Sequence, residues 1–297
     1  LSTETDFHLH TALLLIGVGV VMHRALRELG ASPWYACLGM ILFYGLGWGA
    51  KFNLIYFWLT EPGLFFFGAA AFLAMVRGRD RAFAVMLVLA TLSREAALFM
   101  VPLHYGYRAR TIVDPRAALR AFLVGAPALL GHLALRWTIP VVNKYDPRFC
   151  FHEYGYDRLT DGLMGSIWGW TTGTWGVPLL LFALIGLRHE PRLARAAVFF
   201  LPLVMIQPLF ASNFDRLVVF GFVLMVPLAV SGLRRASERF DLAPWMTLGY
   251  VLIPLVGILI KEGYITPSRE QQLIAFVVWT LIVLVGLSLR KGKAARA

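Results

Sequence analysis

An arginine and a glutamate, Arg94 and Glu95, stand at the centre of an apolar stretch that runs from residue 82 to residue 107. Charged side chains in such a stretch cost several kcal/mol unless they face water, a cavity or a partner. The pair therefore predicts a site that binds a polar or anionic group of a substrate. A salt bridge that only fixes packing, either within the pair or with another helix, is the structural alternative.

Another candidate is Glu61, in the segment Y-F-W-L-T-E-P-G at residues 56–63. Thr60 and Pro62 are typical of a helix N-terminus, with Thr60 as the cap and Pro62 in the first turn. A carboxylate there meets the positive end of the helix dipole. Capping alone explains Thr60 and Pro62, whereas Glu61 is also a candidate ligand for a polar substrate or a metal ion.

Asp215 and Arg216 are candidates for a phosphate site, in the segment N-F-D-R at residues 213–216. The planar donors of a guanidinium match a phosphate or pyrophosphate well, and a salt bridge between the two neighbours is the alternative. Arg136, one turn after His132, is a candidate member of a polar cavity around Arg94. Its alternative is a side chain that only extends to the membrane surface.

The remaining candidates are polar residues outside the apolar stretches. Near the N-terminus, Glu4 and Asp6 are candidates for a catalytic carboxylate, with a frayed terminus as the alternative. Residues 139–165 form a long polar segment in which His152 is a candidate substrate ligand. Other charged side chains there are Lys144, Asp146, Arg148, Glu153, Asp157 and Asp161. Their spacing matches no metal signature, so we predict no metal ligands and favour a solvated loop, with a divalent metal ion left open as a cofactor.

The composition places these candidates in a membrane protein. Hydrophobic residues make up 59% of the 297-residue chain and charged residues only 15%, and the mean hydropathy is +0.68. Such a chain lacks the charge that a soluble domain needs on its surface. The net charge of +11 does not predict nucleic-acid binding, because the arginines lie between apolar segments and not on one basic face. The two cysteines indicate no disulfide or metal framework.

Nine apolar stretches approach the roughly 20 residues that a membrane-spanning helix needs. They are residues 9–26, 34–48, 56–76, 118–138, 166–187, 194–211, 217–233, 244–260 and 273–289. We predict an all-α protein with about nine full transmembrane helices and one broken helix, in a single transmembrane domain over residues 1–297. Residues 139–165 are then an external loop. Because the chain starts at Leu1 with its N-terminus outside, we expect upstream residues to be missing.

The arginines orient these helices, since Lys and Arg concentrate in cytoplasmic loops. The basic groups at residues 77–81 and 108–120 are both cytoplasmic only if residues 82–107 do not cross the membrane as one span. We therefore predict two half-helices of about 11 residues that meet at Arg94, each rising about 16 Å. The same alternation predicts an external N-terminus and a cytoplasmic C-terminus.

Four short segments resemble the GT-C superfamily of membrane glycosyltransferases. They are R-E-L-G-A-S-P-W at 27–34, Y-F-W-L-T-E-P at 56–62, R-G-R-D-R at 77–81 with A-T-L-S-R-E-A-A-L-F-M-V-P at 90–102, and N-F-D-R-L at 213–217. The rhythm A-T-x-x-R-x-x-A-x-x-x-x-P in the third segment is the most specific. The resemblance implies a GT-C-like helical fold.

The resemblance also implies a function. The chain would be a mannosyltransferase-like or arabinosyltransferase-like enzyme of a bacterial inner membrane, taking a sugar from a polyprenyl phosphate on the external face. Arg94 and Arg216 would hold the phosphate of this lipid-linked sugar, and the long external loop would form part of the acceptor or sugar site. The family's catalytic carboxylate follows its first membrane helix, which we expect to lie upstream of Leu1, so Glu4 or Asp6 would be its stand-in.

Two other functions stay open at this point. A transporter or flippase of a lipid-linked intermediate would also carry a broken helix near the middle of the membrane. A non-catalytic membrane scaffold would need neither the broken helix nor the polar residues for chemistry. In all three cases the surrounding partners are membrane lipids, and the sequence does not identify protein partners.

Overall fold

The structure is a computed structural model, and it describes residues 3–57, 59–139, 147–160, 162–210, 217–260 and 269–294. Within these ranges the backbone is helical apart from short connections, and no β-strand is present. The all-α prediction is therefore confirmed. Helices are the natural state of apolar segments of this length in a membrane, because each helix satisfies its own backbone hydrogen bonds.

The described residues from 3 to 139 form seven α-helices. They are α1 (Thr3–Glu28), α2 (Pro33–Tyr44), α3 (Lys51–Ile55), α4 (Glu61–Val76), α5 (Asp80–Ser93), α6 (Met100–Arg108) and α7 (Pro115–Thr138), with a 3-10 helix (Glu95–Phe99) between α5 and α6. Proline occupies the first turn of α2, α4 and α7, where its missing N–H is not needed. The Asp114 carboxylate caps α7 by accepting the N–H of Ala117 at 3.1 Å.

The second half contains short helical turns and then longer helices. They are α8 (Pro147–Cys150), a π-helical turn (Phe151–Gly155), α9 (Tyr156–Thr160), α10 (Leu163–Trp175), α11 (Val177–His189), α12 (Pro191–Ile206) with a 3-10 turn (Gln207–Phe210), a 3-10 turn (Val219–Gly221), α13 (Phe222–Phe240), α14 (Pro244–Ile260) and α15 (Arg269–Ala294). Helices α10 and α11 meet at an angle of 101°. The bend falls at Gly176, whose φ of 77° lies in the left-handed region that favours glycine.

Within the described ranges, five helices are long and apolar enough to cross a membrane. They are Thr3–Glu28, Pro115–Thr138, Pro191–Phe210, Val219–Phe240 and Glu270–Ser288, and the bent pair α10 and α11 makes a sixth if it is one span. Three other predicted stretches form the shorter apolar helices α2, α4 and α14. The apolar helices support a membrane-embedded protein, whereas the number of nine full spans stays a prediction.

Helix α13 lies at the centre of the bundle. Its most apolar window is 83% buried, against 17% in α7 and 11% in α15, which lie at the periphery. Two glycines let α13 approach α11 closely: a Cβ at Gly186 would lie 2.0 Å from the carbonyl oxygen of Leu228, and one at Gly232 would lie 1.9 Å from that of Phe182. Small residues allow such close backbone contact between membrane helices.

Side-chain contacts bring the basic loops together at one end of the bundle. Arg77 forms a salt bridge of 2.8 Å with Glu28, and Arg234 donates to the carbonyl oxygen of Gly30 at 2.9 Å. Arg234 also lies 3.8 Å from Glu190. We call this region the basic end and define it as residues 24–32, 77–81, 108–120, 188–195 and 234–239. The opposite end of the bundle is called the distal end.

The stretch from residue 82 to residue 107 does not run as one helix. Helix α5 stops at Ser93, Arg94 is extended with φ −163° and ψ 137°, and the chain continues as a 3-10 helix into α6. The end of α6 returns to the start of α5, because Arg108 donates to the carbonyl oxygen of Met75 at 2.9 Å. The rings of Phe83 and His104 also lie 4.7 Å apart. Both ends of this hairpin are therefore at the basic end.

The two arms of the hairpin are unequal, which corrects the predicted half-helices of about 11 residues. Helix α5 has 14 residues and α6 has 9, with the 5-residue 3-10 helix between them. At 1.5 Å per residue α5 rises about 21 Å, so Arg94 lies farther from the basic end than the predicted 16 Å. The charge pattern predicted the position of the break, but it could not predict the helix type or the length of each arm.

The close contact between α11 and α13 can be tested with one methyl group. Replacing Gly232 with alanine should destabilise the protein, because the added Cβ has no room beside the carbonyl oxygen of Phe182. We expect a loss of about 1–3 kcal/mol, seen as a lower thermal unfolding midpoint in mild detergent. The control is Gly131→Ala in α7, where nothing lies within 4 Å of the new Cβ. Equal midpoints for the two variants would contradict this packing.

Candidate functional site

The centre of the candidate site is an ion pair between Glu61 and Arg94. Glu61 lies in the first turn of α4, and Arg94 lies at the break between α5 and the 3-10 helix. The Nη1 of Arg94 donates to Oε1 of Glu61. Two residues that the sequence proposed as separate candidates thus form one group, which joins positions 33 residues apart in the chain.

The local packing explains why the two side chains meet. The first turn of α4 lies directly against the last turn of α5, where a Cβ on Gly63 would be 2.6 Å from the hydroxyl oxygen of Ser93. Glycine permits this approach, and the next residue after Ser93 is Arg94. Pro62 occupies the first turn of α4 as predicted, but Thr60 makes no side-chain capping bond. Thr60 has an α-like ψ of −8°, whereas an N-cap is usually extended, so the predicted cap is absent.

The two members of the pair differ in their contact with the surroundings. The Glu61 side chain is 2% exposed, whereas that of Arg94 is 19% exposed. A carboxylate this deeply buried requires a cation beside it, because an isolated buried charge is very costly. Arg94 is therefore the member that a ligand can reach from outside, and Glu61 is the member that holds the guanidinium in place.

The pair lies far from the basic end. Helix α4 rises about 24 Å from Glu61 to its other terminus and α5 rises about 21 Å to the break. The hydrocarbon layer of a bilayer is about 30 Å thick. If the basic end lies at one membrane surface, the pair is well past the middle and close to the other surface. An ionisable group at this depth is by default a functional hypothesis.

Glu95 does not pair with its neighbour Arg94. It is the first residue of the 3-10 helix, its side chain is exposed, and within the described part of the chain it forms no ion pair. The alternative of a mutual Arg94–Glu95 salt bridge is therefore wrong, and the cation of Arg94 is directed to α4 instead. Glu95 is therefore an exposed carboxylate that follows Arg94 in sequence and is not part of the Glu61–Arg94 pair.

Glu4 and Asp6 lie on the first turns of α1 and are exposed. The same end of α1 packs against the segment that precedes Glu61. The rings of His8 and Phe57 are tilted against each other with centroids 3.6 Å apart, and the Thr11 hydroxyl donates to the carbonyl oxygen of Phe57 at 2.9 Å. These contacts bring the two candidate carboxylates to the distal end, on the side of α4 that begins with Glu61.

The other predicted site residues are not joined to the pair by the described contacts. Arg136 is exposed near the end of α7 and makes no hydrogen bond or ion pair within the described ranges, as expected for a side chain that reaches a membrane surface. His152 is exposed in the π-helical turn and stacks on Tyr156 with centroids 6.0 Å apart. Asp215 and Arg216, like Lys144, Asp146 and Asp161 of the long polar segment, lie outside the described residues.

A metal centre has no support in the part of the chain that the structure describes. No group of three or more His, Cys, Asp or Glu side chains there is placed to hold a metal ion. The segment of residues 147–160 contributes aromatic packing, with Phe151 5.7 Å from Phe210 between ring centroids. A ligand at the distal end would therefore meet a guanidinium, exposed carboxylates and aromatic rings.

Sequence reasoning missed a second charged cluster, at the basic end. Asp80, at the start of α5, accepts a hydrogen bond from Arg120 and lies 3.4 Å from Nε2 of His104 and 3.5 Å from Nη2 of Arg108. In the sequence, these arginines indicate only how the helices are oriented in the membrane. A signal was present, because Asp80 is an acidic residue inside the basic group at residues 77–81. The cluster ties α5, α6 and α7 together at their shared end.

Comparison with known proteins identifies no relative, since no family model matches the chain and neither a curated protein nor a solved structure matches it.

The Glu61–Arg94 pair makes a quantitative prediction about stability. Arg94→Gln should cost about 3–5 kcal/mol, because it removes a guanidinium that is paired with a buried carboxylate. The double variant Glu61→Gln/Arg94→Gln should regain a large part of that loss, since it buries no charge. Unfolding in mild detergent measures both changes.

The control for this double-mutant cycle is Glu95→Gln, which alters an exposed carboxylate next to Arg94 and should change stability by less than about 0.5 kcal/mol. If the losses of Glu61→Gln and Arg94→Gln simply add in the double variant, the two side chains are not coupled. That result would remove the ion pair from the candidate site.

Proposed function

We propose that the chain is a membrane glycosyltransferase of the GT-C kind, which moves a sugar from a polyprenyl phosphate to an acceptor at the distal end. The observation that carries the proposal is the helix break that holds the Arg94 guanidinium against the buried Glu61, far from the basic end. A partly exposed guanidinium at this depth suits an anionic headgroup whose lipid tail stays in the bilayer. The sequence resemblance supplies the choice of a lipid-linked sugar.

Arg94 would act on the phosphate of the donor. A guanidinium has five N–H donors in a fixed plane, and it stabilises negative charge as it builds on a departing phosphate. Glu61 orients that plane and keeps the cation at the break, so its role is positioning. In this proposal Arg216 is a second phosphate ligand, on the strength of the resemblance alone.

The transfer itself needs a carboxylate. The acceptor hydroxyl forms a bond to the anomeric carbon, the bond between that carbon and the phosphate oxygen breaks, and polyprenyl phosphate leaves with the bonding electrons. The hydroxyl proton passes to a carboxylate that acts as general base. Among the described residues, Glu4, Asp6 and Glu95 are exposed carboxylates of the distal end, and we assign the base to Asp6 or Glu4.

The membrane orientation follows from the basic end. Loops rich in arginine face the cytoplasm, so the basic end is cytoplasmic and the distal end external. In this proposal the N-terminus is external, because helix α1 starts at the distal end, and the basic tail supports a cytoplasmic C-terminus. We place the protein in a bacterial inner membrane, where polyprenyl-phosphate sugars are presented on the external face.

Exchanging the charges of Glu61 and Arg94 tests the role of Arg94 in sugar transfer separately from its role in packing. The variant Glu61→Arg/Arg94→Glu keeps an ion pair at the break but puts the carboxylate where the donor phosphate would bind. Membranes that contain the variant should show normal protein levels and at least a 100-fold loss of transfer, as expected for removal of a main electrostatic group. Transfer is measured as label moving from polyprenyl-phosphate mannose or arabinose into the acceptor fraction.

The control variant is Arg24→Ala, which removes an exposed arginine at the basic end and should leave transfer unchanged. Label transfer that is undiminished in a stably inserted charge-swapped protein would show that Arg94 holds no donor phosphate. The proposal would then be abandoned.

A transporter of the same lipid-linked intermediate is the second candidate, and two discontinuous helices favour it. The chain breaks at Arg94 and bends by 101° at Gly176, and broken helices mark the substrate sites of many transporters. The same labelled donor distinguishes the two functions. A transporter moves the donor between leaflets with its sugar–phosphate bond intact, whereas the enzyme separates the label from the lipid.

A further inference from the structure

The basic end carries a cavity of about 640 Å³ where residues 109–114 lead from α6 into α7. Its lining includes one carboxylate, that of Asp114, and four arginines: Arg108, Arg110, Arg116 and Arg120. The volume falls within the range of about 300–1,000 Å³ that is usual for small-ligand pockets. It lies at the opposite end of the bundle from the Glu61–Arg94 pair, so it is separate from the proposed transfer site.

A second, smaller cavity of about 240 Å³ extends this basic surface. It shares Arg108 and Arg110 with the first cavity, and it adds Arg192 and Arg195 from the start of α12. The backbone positions are fixed by close packing, because a Cβ on Gly106 would lie 2.8 Å from the carbonyl oxygen of Arg195. Three helices, α6, α7 and α12, therefore direct arginines to one region.

The two carboxylates near these arginines are already engaged. Asp80 binds Arg120 and lies 3.5 Å from Arg108. Asp114 accepts the backbone N–H groups of Arg110 and Ala117, both at 3.1 Å. These backbone hydrogen bonds hold the pKa of the Asp114 carboxyl below its usual value, so Asp114 serves as the charged cap of α7.

Much of the positive charge is left without a carboxylate. Across the described ranges, no carboxylate forms an ion pair with any of four arginines of the two cavities: Arg110, Arg116, Arg192 and Arg195. The Nε atoms of Arg108 and Arg195 are buried there and lack a hydrogen-bond partner. A buried donor without an acceptor is costly. An anion in these cavities would supply the missing negative charge to the arginines that line them.

The surface beside the larger cavity is apolar. Val113, which lines the cavity, is 79% exposed, and its neighbour Ile112 is 71% exposed. The first turns of α7 continue this surface with Leu119, Phe122 and Leu123, each at least 60% exposed. Exposed apolar residues along a membrane helix face acyl chains. The cavity therefore opens where a lipid headgroup and its chains would meet the protein together.

We propose that this cavity binds the phosphate-bearing headgroup of an anionic phospholipid whose acyl chains lie along the exposed apolar residues of α7. Basic pockets between membrane helices at the cytoplasmic surface are a known way to hold such headgroups. The planar guanidinium groups match phosphate oxygens in geometry as well as in charge. The bound lipid would join α6, α7 and α12 by bridging their arginines. This inference does not depend on the proposed transfer reaction.

The first test compares headgroups. The full chain in a neutral detergent is titrated with short-chain phosphatidylglycerol and, separately, with short-chain phosphatidylcholine, and binding is followed by calorimetry. Phosphatidylglycerol should bind and phosphatidylcholine should not. Arg110→Gln/Arg116→Gln should weaken phosphatidylglycerol binding by about 25-fold, since each arginine near an anionic lipid contributes about fivefold.

The matched control is Arg24→Gln/Arg239→Gln, which removes the same charge from two exposed arginines of the basic end that line neither cavity. It should leave the affinity within about twofold of the unchanged protein. Equal weakening by both double variants would show general attraction to a basic surface and overturn the site. Equal binding of the two lipids would overturn it as well.

The second test separates a lipid from a free anion. Inorganic phosphate should bind at least 10-fold more weakly than phosphatidylglycerol, because it gains nothing from acyl-chain burial. Leu119→Ser/Phe122→Ser should weaken the binding of phosphatidylglycerol but not that of phosphate. Two results would identify a free-anion site and contradict the proposal. One is phosphate that binds as tightly as phosphatidylglycerol, and the other is unchanged binding of phosphatidylglycerol to the Leu119→Ser/Phe122→Ser variant.

Discussion

The buried ion pair between Glu61 and Arg94 constrains the whole distal half of the molecule. A guanidinium in the middle of an apolar stretch requires either water or a carboxylate, and Glu61 supplies the carboxylate from the start of α4. The carboxylate is almost completely buried and the guanidinium mostly so. Replacing either side chain should therefore lower the free energy of unfolding. The pair thereby fixes the start of α4, the end of α5 and the break between them.

The break in turn determines where the arginines lie. Since α6 returns toward the start of α5, Arg108 and Asp80 are within 3.5 Å of each other, and the loops on either side of the hairpin belong to the same end. An unbroken helix would send residues 108–120 to the end where Glu61 lies. The separation of a basic end from a distal end with exposed carboxylates thus depends on one extended residue, Arg94.

Much of this arrangement could be predicted from the sequence, for physical reasons that also set the limits. Apolar runs predict helices wherever they occur, and the arginines on both sides of residues 82–107 required a break at Arg94. The sequence could not identify Glu61 as the partner of Arg94. Hydropathy and charge counts describe local segments, whereas this ion pair joins α4 to the end of α5. The Thr60 cap was predicted from residue type alone, whereas the backbone at Thr60 is α-like and its side chain makes no capping bond. The cavity at the basic end was missed because arginines that orient a membrane protein look the same in sequence as arginines that bind a ligand.

The position of the two hairpin ends is tested most directly by thiol labelling in intact cells. In a chain without Cys37 and Cys150, single cysteines are placed by Arg79→Cys, Thr111→Cys and Glu95→Cys, all at exposed positions. An impermeant thiol reagent should label the cysteine at position 95 from outside, and should reach those at positions 79 and 111 only after the membrane is opened. Labelling of positions 79 and 111 from opposite sides would mean that residues 82–107 cross the membrane once, and the distal site at Arg94 would have no basis.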